Sequence, residues 1–227
     1  MTAAAPHPAL RRGAGHVTVW LWGVLAVALI AAGFLGLDRW FYEHVSLTLN
    51  SENVERDFYH RTKLFWELWR GAFGYGSVGL LVGVAIVVLN PARWRVVVVA
   101  FIAVALTALL ANVAQGAIGR LRPNQADSHL AFTRPFEELL TKQRVCFPSG
   151  EAATAFAVAC ALTHLLPRWK IPCYAAAAVA AIARLVNGAH YISDVAAGAL
   201  FGVLAAEFLF RRLGRWINPA APPAAAQ

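Results

Sequence analysis

The sequence has few charged residues and few cysteines for its length. Charged side chains make up 14% of its 227 residues, whereas apolar types make up 59%. Soluble globular domains carry about 25% charged residues, so this composition favours a bilayer over water as the solvent. The three cysteines, Cys146, Cys160 and Cys173, match neither a disulfide framework nor a zinc-ligand spacing. The cysteine pattern therefore predicts neither kind of cross-link.

Acidic residues are also scarce, with 12 Asp and Glu against 20 Lys and Arg. The basic residues do not form one patch interleaved with aromatics, so we expect no nucleic-acid partner. Residues 1–16 are expected to form a cytoplasmic tail, residues 17–210 a single membrane domain, and residues 211–227 a basic cytoplasmic tail rich in Pro and Ala. A cleaved signal peptide is the alternative for the start of the chain, but its apolar core spans only about 7 to 15 residues. The run from Val17 is longer, so an uncleaved first helix is expected.

Six apolar runs are long enough to cross a bilayer, which takes about 20 helical residues. They are Val17–Leu37, Gly71–Leu89, Val96–Ile118, Ser149–Pro167, Ile171–Ala189 and Ile192–Phe210. The sequence therefore predicts an all-α integral membrane protein with a bundle of six transmembrane helices. Between the first two runs, Asp38–Arg70 mixes aromatic and charged residues, which predicts an interfacial segment. That segment is either a solvated loop with aromatic anchors or part of a substrate entry.

Basic residues near the ends of these runs predict the orientation. One side collects Lys and Arg without any acid: Arg11, Arg12, Arg93, Arg95, Arg168, Lys170, Arg211, Arg212 and Arg215. Short cytoplasmic loops carry such an excess, so both termini are expected to be cytoplasmic. In a bacterial inner membrane, the opposite face would be periplasmic.

Polar residues of the last helices converge on that opposite face. They are Arg122, Ser149, Glu151, Arg184, His190 and Asp194. Ionisable groups at membrane depth are costly and usually functional, so the convergence predicts a site. His190 and Asp194 lie four residues apart and would share a face of the sixth helix if that helix has begun by His190. The carboxylate would hold the imidazole, which could then attack a substrate or activate water; a satisfied buried pair is the structural alternative.

The other members of this group suit an anionic ligand. Arg122, Arg184 and Arg120 offer planar donors for phosphate oxygens. Ser149 and Gly150 open a helix, where free backbone N–H groups and the dipole favour an anion. An ordinary serine N-cap is the structural alternative at Ser149.

Three segments resemble the signature of the type 2 phosphatidic acid phosphatases, a superfamily shared with vanadium haloperoxidases. The signature is K-x6-R-P, P-S-G-H and S-R-x5-H-x3-D. The corresponding segments are QGAIGRLRP at 115–123, PSGE at 148–151 and ARLVNGAHYISD at 183–194. The resemblance covers roughly residues 112–210, with the catalytic motifs at 115–194, and includes the six-helix plan.

The resemblance implies a lipid phosphatase that uses no metal or organic cofactor. His190 would form a phosphohistidine, with Asp194 orienting it. Arg122, Arg184, Ser149 and the Gly150 amide would bind the phosphoryl oxygens. The implied substrates are phosphatidate, phosphatidylglycerophosphate, undecaprenyl diphosphate or lipid A. There are two alternatives. One is a phosphotransferase that moves the phosphoryl group to a lipid acceptor, and the other is a catalytically inactive protein that binds or transports a phospholipid. Oligomeric state has no signal in the sequence.

Three positions depart from the signature. Gln115 replaces the lysine but keeps a hydrogen-bond donor for phosphate, and Arg120 or Arg144 could supply the lost charge. Ala183 replaces a serine. Glu151 replaces the histidine that gives a proton to the leaving alcohol, which a glutamic acid does only if its environment favours the protonated form at working pH.

Overall fold

The computed structural model describes residues 14–47, 58–74, 76–137 and 144–217. The helices are α1 (Ala14–Ala32), α2 (Asp38–Phe41), α3 (Phe58–Trp69), α4 (Ser77–Leu89), α5 (Trp94–Ile118), α6 (Gly150–Leu165), α7 (Lys170–Val186), α8 (Ile192–Arg212) and α9 (Gly214–Ile217). Within these ranges the chain forms helices, turns and two isolated β-bridges, and no strand. The expectation of an all-α chain is therefore confirmed.

The first helix extends beyond its expected end at Leu37. Two π-helical segments, Gly33–Leu37 and Tyr42–Ser46, join α1 and α2 into one span from Trp22 to Ser46. Gly36 in the first segment has a φ of 130°, a non-helical backbone angle that glycine adopts more readily than other residues. Asp38 is therefore buried inside a long helix, and the prediction that it begins an interfacial segment is wrong. Helix α3 falls within the predicted segment Asp38–Arg70. Residues 48–57 of that segment lie outside the described part.

Four helices of the described residues are long and apolar enough to cross a membrane. They are Trp22–Ser46, Pro91–Ile118, Pro167–Val186 and Ile192–Arg212. A fifth span results if Thr62–Ala72 and Ser77–Leu89, which are bent by 49°, count as one. Helix α6 is apolar but has only 16 residues, or about 24 Å at 1.5 Å per residue. The expected sixth span is the one that depends on this shorter helix.

Helix α6 lies at the centre of the bundle, between α5, α7 and α8. Most of its side chains are buried, and many of them are alanines. Gly198 and Gly202 of α8 face it so closely that a Cβ at either position would overlap a backbone carbonyl of α6. Small residues let membrane helices approach in this way. The two helices that begin at the candidate site are therefore held in a fixed register.

Candidate active site

The site forms where α6 and α8 begin. Ser149 is buried, and its hydroxyl accepts a 3.4 Å hydrogen bond from the backbone N–H of Ala152, which makes it the N-cap of α6. Its own N–H donates to the carbonyl of Asp194 at 2.9 Å. The serine thus ties α6 to α8. The N–H groups of Gly150 and Glu151 head α6, at the positive end of its dipole.

His190 is buried just before α8, whose N-cap is Tyr191. The helix has not begun at His190, so the condition for a shared helical face with Asp194 is not met. Its Nδ1 lies 3.0 Å from the carbonyl oxygen of Cys146 and 3.6 Å from the nearer Asp194 oxygen. A carbonyl oxygen can only accept, so Nδ1 carries the proton. This tautomer leaves the lone pair on Nε2 for attack.

Asp194 is held from two sides in the first turn of α8. One oxygen accepts from the N–H of Tyr191 at 2.8 Å, which completes a cap. The other accepts from Arg120 at 2.7 Å. Both hydrogen bonds fix the carboxylate beside the imidazole of His190. Asp194 therefore lies where the sequence places it, although the Cys146 carbonyl is the closer partner of Nδ1.

Arg120 is fully buried, and all of its donors are used within the protein. Nε and one Nη donate to the carbonyl of His129 at 3.0 and 2.7 Å. The other contacts are with Ser193 at 2.6 Å, Asp194 at 2.7 Å and Asp38 at 2.8 Å. These contacts occupy the five N–H groups of the guanidinium. The expectation that Arg120 binds phosphate is wrong, because no donor remains for a ligand.

Burial lowers the pKa of His190, and the charges of two nearby arginines, Arg184 and Arg122, lower it further. Arg122 is partly buried, and its Nε has no hydrogen-bond partner among the described residues. Arg184 is buried in the last turn of α7, with Nε 3.2 Å from an oxygen of Glu151. Glu151 is 24% exposed there. The structure thus brings the predicted arginines, Glu151 and His190 together.

Gln115 supports the loop that leads into α6. Its amide nitrogen donates to the carbonyl of Pro148 at 2.7 Å, and the side chain is buried. The same nitrogen lies 3.6 Å from the position that a Cβ on Gly150 would take. The amide therefore reaches the start of α6, but the donor seen here is engaged with the chain itself.

Three contributors to the site were not predicted from the sequence, namely Asp38, Ser193 and the carbonyl of Cys146. Asp38 accepts hydrogen bonds from Arg120, from the hydroxyl of Ser193 and, at 3.0 Å, from the N–H of Ser193. The carbonyl of Cys146 lies 3.0 Å from Nδ1 of His190. Asp38 had one available signal, an acid directly after a charge-free run of helical residues. A backbone carbonyl has no signal in a sequence.

Comparison with known families gives a match for the PAP2 superfamily over residues 96–217. This range covers more than half of the chain and includes all the site residues from α5 to α8. The chain belongs to the PAP2 superfamily. The PAP2 signature positions occupied here by Arg122, Ser149, Arg184, His190 and Asp194 are the ones that surround the site described above.

Curated relatives of this PAP2 chain include two named lipid A 1-phosphatase. One, from Rhizobium johnstonii, is 36% identical over 118 residues, which are 50% of this chain and 48% of the relative. The other, from Porphyromonas gingivalis, is 33% identical over 114 residues, 48% of this chain and 21% of the relative. The chain thus aligns with about half or less of the length of these relatives.

A solved structure shares the PAP2 fold. It is the crystal structure of a transmembrane PAP2-type phosphatidylglycerolphosphate phosphatase from Bacillus subtilis. The alignment covers 89% of this chain and 98% of that chain, with a TM-score of 0.58 and 18% sequence identity. The likeness establishes the fold of an integral membrane protein with a bundle of apolar helices.

Proposed function

We propose that this PAP2 protein is a membrane lipid phosphatase that removes the 1-phosphate of lipid A. One observation carries the chemistry: the buried His190 keeps its proton on Nδ1, toward the Cys146 carbonyl, beside Arg122 and Arg184. A neutral imidazole with a free Nε2 next to two guanidinium groups suits attack on a phosphorus atom. The names of the curated relatives support the substrate.

The reaction proceeds in two displacements. Nε2 of His190 attacks phosphorus and forms the N–P bond, while the bond from phosphorus to the lipid oxygen breaks. Asp194 stabilises the imidazolium that develops, and the arginines and the α6 N-terminus bind the phosphoryl oxygens. Water then attacks phosphorus, the N–P bond breaks, and inorganic phosphate leaves. His190 returns to its starting form.

Glu151 is the proton carrier of this scheme. In its protonated form it gives its proton to the departing lipid oxygen, and its carboxylate later accepts one from the attacking water. In the structure Glu151 pairs with Arg184, so a bound phosphate competes with this carboxylate for the guanidinium. The 1-hydroxyl of a sugar is a hemiacetal and more acidic than an alkyl alcohol. Such a leaving group needs less help from an acid.

The same site allows two other outcomes. Transfer of the phosphoryl group from His190 to a lipid hydroxyl would make the protein a phosphotransferase. A silent phospholipid-binding or transport protein is favoured by two observations: Gln115 stands at the lysine position and is engaged with Pro148, and Glu151 stands at the position of the acid histidine. Phosphatidate, phosphatidylglycerophosphate and undecaprenyl diphosphate are the competing substrates.

The proposed setting is a bacterial inner membrane with the site on the periplasmic face. The proposal includes six spans with both termini in the cytoplasm, with α6 as the short fourth span. Arg93 just before α5, Arg95 in its first turn, and Arg211 and Arg212 at the end of α8 would then face the cytoplasm.

Phosphate release by the purified protein tests the proposal. The substrates are lipid A 1-phosphate, phosphatidate, phosphatidylglycerophosphate and undecaprenyl diphosphate, each with wild type, His190→Ala and Glu151→Gln. We expect wild type to release phosphate from lipid A and His190→Ala to release none. Glu151→Gln should lose about 10²- to 10⁴-fold on any alkyl phosphate that wild type hydrolyses, and less on lipid A. If wild type and His190→Ala release equally little on every substrate, the phosphatase assignment is wrong.

A further inference from the structure

A second cluster of reactive side chains lies on the same two helices, at the end away from His190. Cys160 and His164 are one helical turn apart on α6, and Glu207 faces them from α8. The thiol sulfur lies 3.9 Å from one Glu207 oxygen, and Nε2 of His164 lies 3.1 Å from that same oxygen. One ligand atom from each residue falls within 4.8 Å of the other two. The three atoms surround one point.

The orientation of these groups is fixed by their neighbours. Arg211 donates to the other oxygen of Glu207 at 2.9 Å, so the carboxylate presents a single oxygen to Cys160 and His164. The ring of His164 stacks on Phe210 with centroids 4.0 Å apart and planes at 9°. Outer contacts of this kind orient ligands at protein metal sites. The cluster is thus pre-arranged around the facing atoms.

We propose that Cys160, His164 and Glu207 bind one divalent metal ion of the zinc class. Thiolate sulfur, imidazole nitrogen and carboxylate oxygen are the ligands that Zn²⁺ takes, at about 2.0 to 2.3 Å. Ligand atoms around a tetrahedral ion at those lengths lie about 3.3 to 3.8 Å apart, so the cluster needs only small movements. Binding forms a metal–sulfur bond and releases the thiol proton of Cys160 to solvent.

The metal would join α6 to α8 far from the catalytic chemistry. Cys160 lies 11 residues after Ser149 on α6, which is about 16 Å at 1.5 Å per residue. The same two helices carry Ser149 and Asp194 at their other ends. An ion at this point would therefore fix the relative position of the two helices that build the active site.

An ion pair offers the competing explanation of the cluster. His164, Glu207 and Arg211 form charge contacts without help from a metal. In that explanation Cys160 is a neutral thiol that donates only a weak hydrogen bond to Glu207 at 3.9 Å. A metal site requires the sulfur as a ligand. The two explanations differ in what happens when Cys160 alone is changed.

Cobalt titration of the purified, tag-free, metal-stripped protein tests the proposal. Co²⁺ bound by a thiolate gives a charge-transfer band in the near ultraviolet, which is a probe independent of phosphatase activity. We expect this band to saturate at one equivalent and to disappear when Zn²⁺ is added. It should be absent in Cys160→Ala, and at least tenfold more Co²⁺ should be needed to saturate the visible bands of Glu207→Gln.

Two variants serve as controls. Cys173→Ala removes the other cysteine of this part of the bundle and should keep the band, because Cys173 lies outside the cluster. His190→Ala should also keep it, which separates the new site from the catalytic one. If wild type gives no band, or if Cys160→Ala retains it, the proposal is wrong whatever the protein's activity on lipids. Thermal unfolding of each variant verifies that it is folded.

Discussion

At the residue scale, the environment of His190 determines its chemistry. Burial lowers the pKa of the imidazole, Asp194 acts in the opposite direction, and the charges of Arg184 and Arg122 lower it further. The net effect is a lowered pKa, which keeps the ring neutral at physiological pH. In the proposed mechanism the neutral ring attacks phosphorus, so burial would favour the reactive form of His190.

This pKa shift predicts how stability depends on pH. The folded ring resists protonation, while the unfolded ring takes up a proton near its ordinary value of about 6.5. The free energy of unfolding of wild type therefore falls relative to that of His190→Gln as the pH drops below about 6.5. Above that pH the difference between the two proteins stays constant. Melting temperatures of both proteins from pH 8 to pH 5 measure the difference. A difference that stays constant, or grows in favour of wild type at low pH, would contradict the lowered pKa.

The contacts of Asp38 and Arg120 predict a positioning role for both. Asp38→Asn keeps the shape of the side chain but removes the charge that faces Arg120, which also holds Asp194. We expect kcat to fall about 10- to 10²-fold, since small displacements of catalytic groups have effects of this size. KM should change little, because neither residue touches the substrate. Steady-state kinetics on protein shown to be folded provides the measurement.

The neighbouring Arg39→Gln is the matched control for that substitution. Arg39 pairs with Glu43 at 2.8 Å on the exposed surface of the same helix. Exposed pairs add little to stability, so this variant should retain wild-type kcat and stability. If Asp38→Asn behaves like Arg39→Gln, the positioning role is wrong.

Some of these residue roles could be predicted from the sequence and others could not. The grouping of Arg122, Ser149, Arg184 and His190 at one site could be predicted, because these residue types occur at spacings that carry a chemical meaning. Arg120 and Arg122 are two positions apart and carry the same side chain. Arg120 donates its hydrogen bonds to buried groups that include Asp194 and Asp38, whereas Nε of Arg122 has no partner among the described residues. That division depends on Asp38 from a distant helix. Only the three-dimensional arrangement reveals it.

At the element scale, the contact between α6 and α8 connects the two halves of the site. A Cβ on Gly198 would overlap the carbonyl oxygen of Ser149. Gly198→Ala should therefore separate the helices at the point where Ser149 caps α6. Overpacking of this kind costs about 1 to 3 kcal/mol. We expect a lower melting temperature and a lower kcat from the displaced Ser149 and Asp194.

Gly23→Ala is the control for that change. Gly23 lies within α1, and a Cβ there would meet nothing within 4 Å. Alanine is favoured over glycine inside a helix by about 0.5 to 1 kcal/mol, so this variant should be as stable as wild type or slightly more stable. Equal melting temperatures and activities for the two variants would show that the close contact does not matter.

Helix existence was predictable from apolar runs, but helix ends were not. The charge of Asp38 suggested the end of the first span, whereas its burial against Arg120 and Ser193 lets the helix continue to Ser46. Here a tertiary contact outweighed the local pattern.

At the scale of the whole molecule, the distribution of basic residues predicts topology. The reporter is an enzyme that is active only in the cytoplasm. Fused after the last residue, it should be active. A cysteine placed at Asp127, which is exposed in the segment after α5, should react with a membrane-impermeant reagent from the periplasmic side. The labelling is measured in the variant Cys173→Ala, because Cys173 is a partly exposed native cysteine that could also react. A periplasmic C-terminus would overturn the proposed six spans and the face of the site.

The most direct test of the central proposal is to trap the phosphorylated enzyme. Purified protein is mixed with lipid A carrying ³²P at the 1-position, quenched in alkali within a turnover, digested and mapped. We expect label on the peptide that contains His190, stable in alkali, lost in acid, and absent from His190→Ala. Label on another residue, or phosphate release by His190→Ala at the wild-type rate, would contradict the role of His190 as the nucleophile.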